Sequence, residues 1–297
     1  MPKRSATTPA TTPTSPAVDD ARLRATLDTL TDAADLAAHR ANDPVERVWM
    51  YATPEDQALA ALVASAVAYG RVKLVRDAGR RILEPLGPAP METLRALSAE
   101  TLHEWYRDFV YRMTRGEDVI DLLWSTRTCV ARYGSLEATY LAGGDAEPDH
   151  LSRASGFVRR LRDARLREDL SRGLRYLLPD PADGSACKRL HLFFRWVGRG
   201  PDEIDLGIWE SLPARDLIMP VDTHTSRICR YIGLTTRAQA DGKSALAITE
   251  SLRRLDPDDP LRYDFPICHL GISGGCIHRR SPEHCPSCPL DPICTLE

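Results

Sequence analysis

Residues 219–234 read MPVDTHTSRICRYIGL and place one carboxylate, that of Asp222, at the start of a helix. Pro220 prevents a helix from running through it, and Asp222 is a good N-cap residue. Gly233 is a good stop signal, so the pattern predicts one helix between these limits. Its apolar side chains share one face, which should pack inward and fix the direction of Asp222. Because the helix dipole favours an ionised carboxylate here, Asp222 is either a structural cap or a base or charge stabiliser near neutral pH.

The charge balance limits where a nucleic acid could bind. The formal net charge of the 297 residues is −3, and residues 1–18 contribute Lys3 and Arg4 but no acid. The rest of the chain therefore carries a net charge of −5, so any nucleic-acid site must be local. No stretch approaches eighteen apolar residues, and the N-terminus lacks the apolar core of a signal peptide. We therefore expect a cytoplasmic protein without a membrane partner.

Helical spacing of apolar residues recurs along most of the chain. Residues 1–18 are rich in Thr, Pro and Ala and should form a disordered tail, since they cannot offset the entropy of ordering. Residues 58–69, ALAALVASAVAY, are apolar almost all round, which predicts a central buried helix. Helical patterns continue over 72–86, 91–97, 102–113 and 119–133, and strand-like alternation is absent. The predicted fold class is all-α.

Residues 178–197, LPDPADGSACKRLHLFFRWV, predict a helix, a tight turn and a second helix. Lys188 lies in the first turn of the second helix, where the dipole disfavours a positive charge. In a partly dry site the pKa of Lys188 would fall toward the range where the free amine attacks carbon. The alternative is an ordinary surface lysine.

Residues 151–180 contain eight arginines and four acids, which leaves two interpretations open. The arginines form either a solvated helix face or a face that meets phosphates, and an acidic protein that binds DNA would need the second.

The last four cysteines follow the pattern C-x8-C-x2-C-x5-C and indicate a metal site, with Cys276, Cys285, Cys288 and Cys294 as ligands. Three prolines between and beside them prevent a helix. Four thiolates bind either tetrahedral zinc or an iron-sulfur cluster. We favour [4Fe-4S], with zinc as the alternative, because a single C-x2-C pair is flanked by two lone cysteines. The other cysteines lie among apolar residues and should be small core fillers: Cys129, Cys187, Cys229 and Cys268.

Three of these features occur in one order: a turn followed by Lys188, Asp222 opening a helix as Val-Asp-Thr-His, and a four-cysteine loop. This set resembles the helix-hairpin-helix DNA glycosylases of the endonuclease III and MutY kind over most of residues 20–297. The chain looks closest to a bacterial branch recognised by AYGRV (68–72), GSACKR (184–189) and YDF (263–265).

The resemblance implies two helical domains with a cleft between them. A six-helix barrel carrying the helix-hairpin-helix would span residues 50–200, and an iron-sulfur domain would combine residues 19–49 with 201–297. It further implies a nucleoid-associated monomer that binds double-stranded DNA and excises a flipped, damaged or modified base.

The resemblance also implies roles for particular residues. Asp222 would stabilise the charge on the sugar, and Lys188 would attack the anomeric carbon and support abasic-site lyase activity. The cluster would be structural. The residues expected to contact DNA are Gly184, Ser185 and Ala186 of the hairpin, Arg279 and Arg280 of the cysteine loop, and Tyr69 and Arg71.

Three departures from the family pattern keep other functions open. The hairpin has Gly-Ser-Ala where the family usually has two glycines, and the interval from Lys188 to Asp222 is longer, which predicts an insertion beside the site. Val67 stands where better-known members have a glutamine that fills the gap in the base stack. The alternatives are a non-catalytic DNA-structure-binding protein and an enzyme acting at the anomeric carbon of a modified nucleoside.

Overall fold

A computed structural model describes residues 19–142, 149–272 and 274–296 of the chain. The tail predicted to be disordered, residues 1–18, lies outside these ranges. Within them the chain is mostly helical, which confirms the predicted all-α class. None of the described helices is long and apolar enough to cross a membrane.

The described part of the chain forms fifteen α-helices and one two-stranded hairpin. The helices are α1 (Asp20–Asp32), α2 (Leu36–Arg40), α3 (Glu46–Trp49), α4 (Pro54–Ala66), α5 (Val72–Leu83), α6 (Pro90–Ala96), α7 (Ala99–Tyr106), α8 (Gly116–Tyr133), α9 (Leu136–Leu141), α10 (His150–Asp163), α11 (Arg172–Leu177), α12 (Lys188–Gly198), α13 (Thr223–Tyr231), α14 (Gly242–Leu255) and α15 (Asp264–Ile272). The hairpin joins β1 (Val110–Tyr111) to β2 (Thr114–Arg115), with Val110 opposite Arg115.

The helix predicted over residues 102–113 is shorter than expected. α7 ends at Tyr106, and the chain then turns back through the β-hairpin, where Arg112 adopts a left-handed φ of 52°. The backbone at the start of α8 lies against the end of α7, since a Cβ atom on Gly116 would lie 1.9 Å from the carbonyl oxygen of Tyr106. Glycine therefore lets the start of α8 press against the end of α7.

α4 is the central helix that the apolar run predicts. The Thr53 hydroxyl accepts a hydrogen bond from the amide of Asp56 and caps the helix, and Pro54 occupies its first turn. Every residue from Ala58 to Ala66 is buried, and the helix packs against α12. A helix that is apolar all round is buried by neighbours on every side. One of these neighbours is α12, so α4 helps to position the helix that begins at Lys188.

Buried apolar side chains form two clusters. The larger extends from Val45 to Leu217 in sequence, with Leu261 and Phe265 added from the C-terminal part. The smaller joins α1 to residues from Ile218 onward. Helices α12 and α13 follow each other in sequence but contribute to different clusters, so their N-termini meet where the clusters join.

The long connection between α12 and α13 folds back along the end of α12. The amides of Leu206 and Trp209 donate to the carbonyl oxygens of Trp196 and Val197, both at 2.8 Å. An eleven-residue helix is about 16 Å long, so these contacts lie far from its first residue, Lys188. The middle of the connection therefore packs near the C-terminal end of α12, while Pro220, close to its end, and Trp196, which it contacts, line one cleft with Lys188 and Asp222.

Candidate active site

Asp222 caps α13 as the sequence predicts. Its Oδ1 atom accepts hydrogen bonds from the amides of His224 and Thr225, both at 2.9 Å. The helix ends at Tyr231, and Gly233 follows with a left-handed φ of 80°. The helix and its limits are thus confirmed, and Asp222 points where its cap bonds hold it.

The second oxygen of Asp222 contacts Lys188. Its Oδ2 atom lies 2.6 Å from Lys188 Nζ, although the two residues are 34 positions apart in sequence. Each side chain is 28% exposed, so the pair is partly shielded from water. Burial raises the pKa of Asp222, but the Lys188 ammonium and the hydrogen bond from the Thr225 amide lower it by more, so the net direction of the pKa is down. The carboxylate is therefore ionised near neutral pH.

The pKa of Lys188 moves in the direction opposite to the prediction. Burial lowers it, but the charges of Cys268, Asp222 and Asp264 raise it more. Because burial raises the pKa of the Cys268 thiol to about 12, that thiol is neutral near pH 7, and the Asp222 carboxylate, 2.6 Å from Nζ, is the group that stabilises the Lys188 ammonium. The predicted fall in the pKa of Lys188 is wrong for this arrangement, since the ion pair outweighs the dipole and the burial.

Lys188 and Asp222 lie in a cleft of about 650 Å³. Its lining residues come mainly from the segment after α4 and from α12, α13 and α15. A cleft of this size can enclose a small organic ligand or one nucleotide unit.

Tyr69 and Arg71, which the resemblance predicts to contact DNA, line this cleft. The Tyr69 hydroxyl lies 2.6 Å from Thr114 Oγ1, and the guanidinium of Arg189 lies 4.0 Å from the centre of the Tyr176 ring and 5.0 Å from that of Tyr69. Arg189 also donates to the carbonyl oxygen of Ala66 at 2.7 Å, which ties this aromatic wall to α12.

Val67 is fully buried at the end of α4. It therefore cannot reach into a DNA duplex from this position.

Sequence reasoning missed Asp264, Cys268 and Arg195, which also line the cleft. Asp264 opens α15, is 2% exposed, and accepts a hydrogen bond from Arg195 Nη1 at 2.6 Å. Cys268 follows it by one helical turn. The Tyr-Asp-Phe motif pointed to Asp264. The sequence could not indicate a role for this carboxylate, because its buried partner, Arg195, is known only from the structure.

The hairpin residues lie outside the cleft lining. Ten residues separate α11 from α12, and they include a 3-10 turn over Pro181–Asp183, so the predicted tight turn is wrong. Gly184 and Ser185 are exposed, whereas Ala186 is buried. The carbonyl oxygen of Gly184 accepts from the Gly242 amide at 2.9 Å, which holds the turn against the start of α14.

Several arginines of residues 151–180 hold the fold together. Arg162 is buried and donates to the carbonyl oxygen of Leu178 at 2.9 Å. Arg159 pairs with Asp180 at 3.0 Å, and Arg167 pairs with Asp121 at 2.7 Å. These contacts favour structural roles for these three arginines over a phosphate-binding face.

The four C-terminal cysteines line one small cavity, together with Arg279 and Arg280. The amide of Ser281 donates to Cys285 Sγ at 3.3 Å, and Arg280 pairs with Asp291 at 2.5 Å. Among the side chains that the structure describes, no group of three or more His, Cys, Asp or Glu is arranged to hold one metal ion. The four thiols that line this cavity are the groups that would hold a metal centre.

The cysteine loop also contacts the candidate active site. The imidazole of His278, in the loop, lies 3.1 Å from that of His224, which is on the first turn of α13. His278 has a left-handed φ of 58° and is 3.9 Å from Cys276 Sγ. The loop therefore braces the helix end that holds Asp222.

Comparison with known proteins gives one match. No curated protein and no solved structure matches the chain. Residues 43–273 match the model of a family described as "Protein of unknown function (DUF2400)", a span that includes Lys188, Asp222 and Asp264 but stops before the four C-terminal cysteines. Since this match covers well over half of the 297 residues, the chain belongs to the DUF2400 family.

Proposed function

We propose that this protein is a DNA base-excision glycosylase with abasic-site lyase activity. The observation that carries the proposal is the contact between Lys188 and Asp222, at 2.6 Å, in a cleft of about 650 Å³. An amine and a carboxylate placed together supply the two functions that this reaction needs: a nucleophile for the anomeric carbon and a fixed negative charge beside it.

Asp222 acts through its charge in this mechanism. Two amides hold Oδ1, so the carboxylate cannot turn away as positive charge develops on the sugar during cleavage of the glycosidic bond. Fixed charges in a shielded cleft stabilise a transition state more than mobile charges in water. Lys188 then loses its proton, attacks the anomeric carbon and forms the Schiff base from which strand scission follows.

The two hydrophobic clusters support a two-domain arrangement. The larger cluster would be the core of the six-helix barrel that carries α12, and the smaller would be the core of the iron-sulfur domain that carries α13. DNA would lie across the junction as a duplex, with the target nucleotide rotated into the cleft. The protein would act as a monomer associated with the nucleoid.

The iron-sulfur centre would be held by Cys276, Cys285, Cys288 and Cys294. A zinc ion needs all four sulfurs about 2.3 Å from one point, whereas a [4Fe-4S] cluster accepts thiolates spread around a wider cavity, so we favour the cluster. When bound, the cluster supplies structural order to the loop. The loop then presents the exposed Arg279 to phosphate and keeps His278 against α13.

Borohydride trapping on duplexes with an abasic site tests the nucleophile. The wild type should form a covalent adduct and Lys188→Ala should form none. Lys243→Ala is the matched control, since Lys243 is exposed on α14. A wild type that binds the duplex but forms no adduct would contradict the lyase proposal and favour a monofunctional or non-catalytic protein.

Base release from a panel of damaged duplexes tests Asp222. Asp222→Asn retains a good N-cap side chain, so the helix should survive while base release falls by a factor of about 10²–10³. Unchanged release in this variant would rule out the role given to the carboxylate. Binding to undamaged duplex should weaken steeply with salt, and salt-independent binding would instead favour an enzyme of free nucleosides.

A further inference from the structure

A group of exposed cations lies beside the cleft, at the start of α5 and on the β-hairpin. We call this group the basic rim; its members are Arg71, Lys73, Arg76, Arg112 and Arg115. None of the five forms an ion pair with another residue that the structure describes. Acids close to them in sequence pair with other cations, Asp77 with Arg80 at 2.8 Å and Asp118 with Arg167 at 3.2 Å. The charge of the rim is therefore not neutralised locally.

Direct contacts hold the hairpin against the wall of the cleft. The hydroxyl of Tyr69, a lining residue, lies 2.6 Å from Thr114 Oγ1 and donates to the carbonyl oxygen of Tyr111 at 3.1 Å. The Tyr111 hydroxyl donates in return to the carbonyl oxygen of Tyr69. A Cβ atom on Gly70 would lie 3.1 Å from Arg112 Nη1. Because Gly70 also lines the cleft, the guanidinium of Arg112 lies at its edge.

The start of α5 supplies the other cations and forms part of the same wall. Arg71, Val72 and Val75 line the cleft. Lys73 and Arg76 are three positions apart, so they share the neighbouring face of the helix. The first turn of α5 contains no acid, and no side chain caps it. Cations at the positive end of a helix dipole repel it, so this arrangement favours an anionic partner.

We propose that the basic rim binds the phosphates of the DNA strand whose nucleotide enters the cleft. The choice of DNA rests on the base-excision function proposed above. Outside residues 1–18 the chain carries a net charge of −5, so a local group of unpaired cations is needed to hold a polyanion. Contacts to phosphates carry no sequence information, so the rim should position the strand without selecting the base.

Exposed apolar side chains stand between the cations and suggest one rival partner. They are Val72, Leu74, Val110 and Met113. Basic and apolar residues together also fit an anionic membrane surface. DNA is favoured because the rim borders the cleft that holds Lys188 and Asp222, so a strand bound there would deliver its nucleotide to that pair.

The salt dependence of duplex binding counts the phosphate contacts. For B-DNA the logarithm of the association constant falls with the logarithm of the salt concentration by about 0.9 per contact. The triple variant Lys73→Gln, Arg76→Gln, Arg112→Gln should therefore reduce this slope by about 2–3, measured by fluorescence anisotropy on undamaged and abasic duplexes. Between salt concentrations that differ tenfold, each lost contact removes about eightfold of the change in affinity.

Two further variants test whether charge and position account for the change. Arg76→Lys keeps the charge and should keep the wild-type slope. Arg132→Gln removes another exposed cation that has no ion pair with a described residue. Arg132 lies in the last turn of α8, about 24 Å along that helix from the hairpin, so this variant should leave the slope unchanged. Circular dichroism melting should be the same in all variants, because the substituted side chains are exposed.

A wild-type slope in the triple variant, or an equal loss in Arg132→Gln, overturns the proposal and leaves borohydride trapping to decide the lyase activity. A triple variant that loses binding to vesicles of equimolar phosphatidylserine and phosphatidylcholine, but keeps wild-type duplex binding, assigns the surface to a membrane and also overturns the proposal. Duplex binding that depends on the rim, in a wild type that forms no trapped adduct, supports the rim and contradicts the lyase activity instead.

Discussion

Two buried histidines should make the stability of this protein fall steeply in mild acid. Burial lowers the pKa of His150 to about 4 and that of His191 to about 3. Their rings lie 6.1 Å apart, and Nε2 of His150 and Nδ1 of His191 are buried without a hydrogen-bond partner within the described structure. A proton on either ring would place a charge in the core, where burial outweighs the opposing charge of Asp149 beside His150.

The sign follows from linkage. An unfolded histidine has a pKa of about 6.5, so below this pH the unfolded chain binds protons that the folded chain does not. Stability is full above pH 6.5 and falls as the pH decreases toward the folded values. Each ring should lose about 1.4 kcal/mol per pH unit, or roughly 2 kcal/mol between pH 7 and pH 5. Asp205 acts in the opposite direction, because burial raises its pKa to about 6.

His191→Leu isolates one of these contributions. Urea unfolding at pH 7 and pH 5, followed by circular dichroism, should show that the wild type loses about 2 kcal/mol more than the variant over this range. The comparison cancels the contribution of Asp205, which both proteins share. His103→Gln is the control, since the His103 side chain is 54% exposed and should leave the difference unchanged. Equal pH dependence in wild type and His191→Leu would refute this reasoning.

Two further predictions concern a pair of glycines and the cysteine loop. Gly116→Ala should destabilise the protein by more than about 2 kcal/mol in urea unfolding, since its Cβ would lie 1.9 Å from the Tyr106 carbonyl oxygen. Gly79→Ala, within α5, should stabilise the protein by about 0.5–1 kcal/mol, because the nearest atoms to its Cβ would be 4.0 Å away. The reverse order would contradict the packing. Cys285→Ser should lower the iron bound per chain and the visible absorbance of the purified protein, whereas Cys129→Ser in the core should not; equal iron in both variants would argue against the loop as the ligand set.

Part of the fold and site was accessible from local pattern. The cap at Asp222, the stop at Gly233 and the buried helix α4 follow from residue types at short spacing, and each is observed. The end of α7 at Tyr106 was not predicted, and neither was the close packing of its backbone against Gly116, ten residues further along the chain. The ion pair of Lys188 could not be read from position either, since its partner lies 34 residues away.

The sequence by itself determined the all-α class, the position of the Asp222 carboxylate at a helix start, and the four thiols near the C-terminus. These depend on backbone preferences and side-chain chemistry within a few residues, which a linear pattern records. Only the tertiary structure decided that Lys188 pairs with Asp222, that Asp264 lines the same cleft, and that the connection after α12 folds back on Trp196 and Val197. Charge states and proximity depend on burial and on partners distant in sequence, and these are set only when the helices pack.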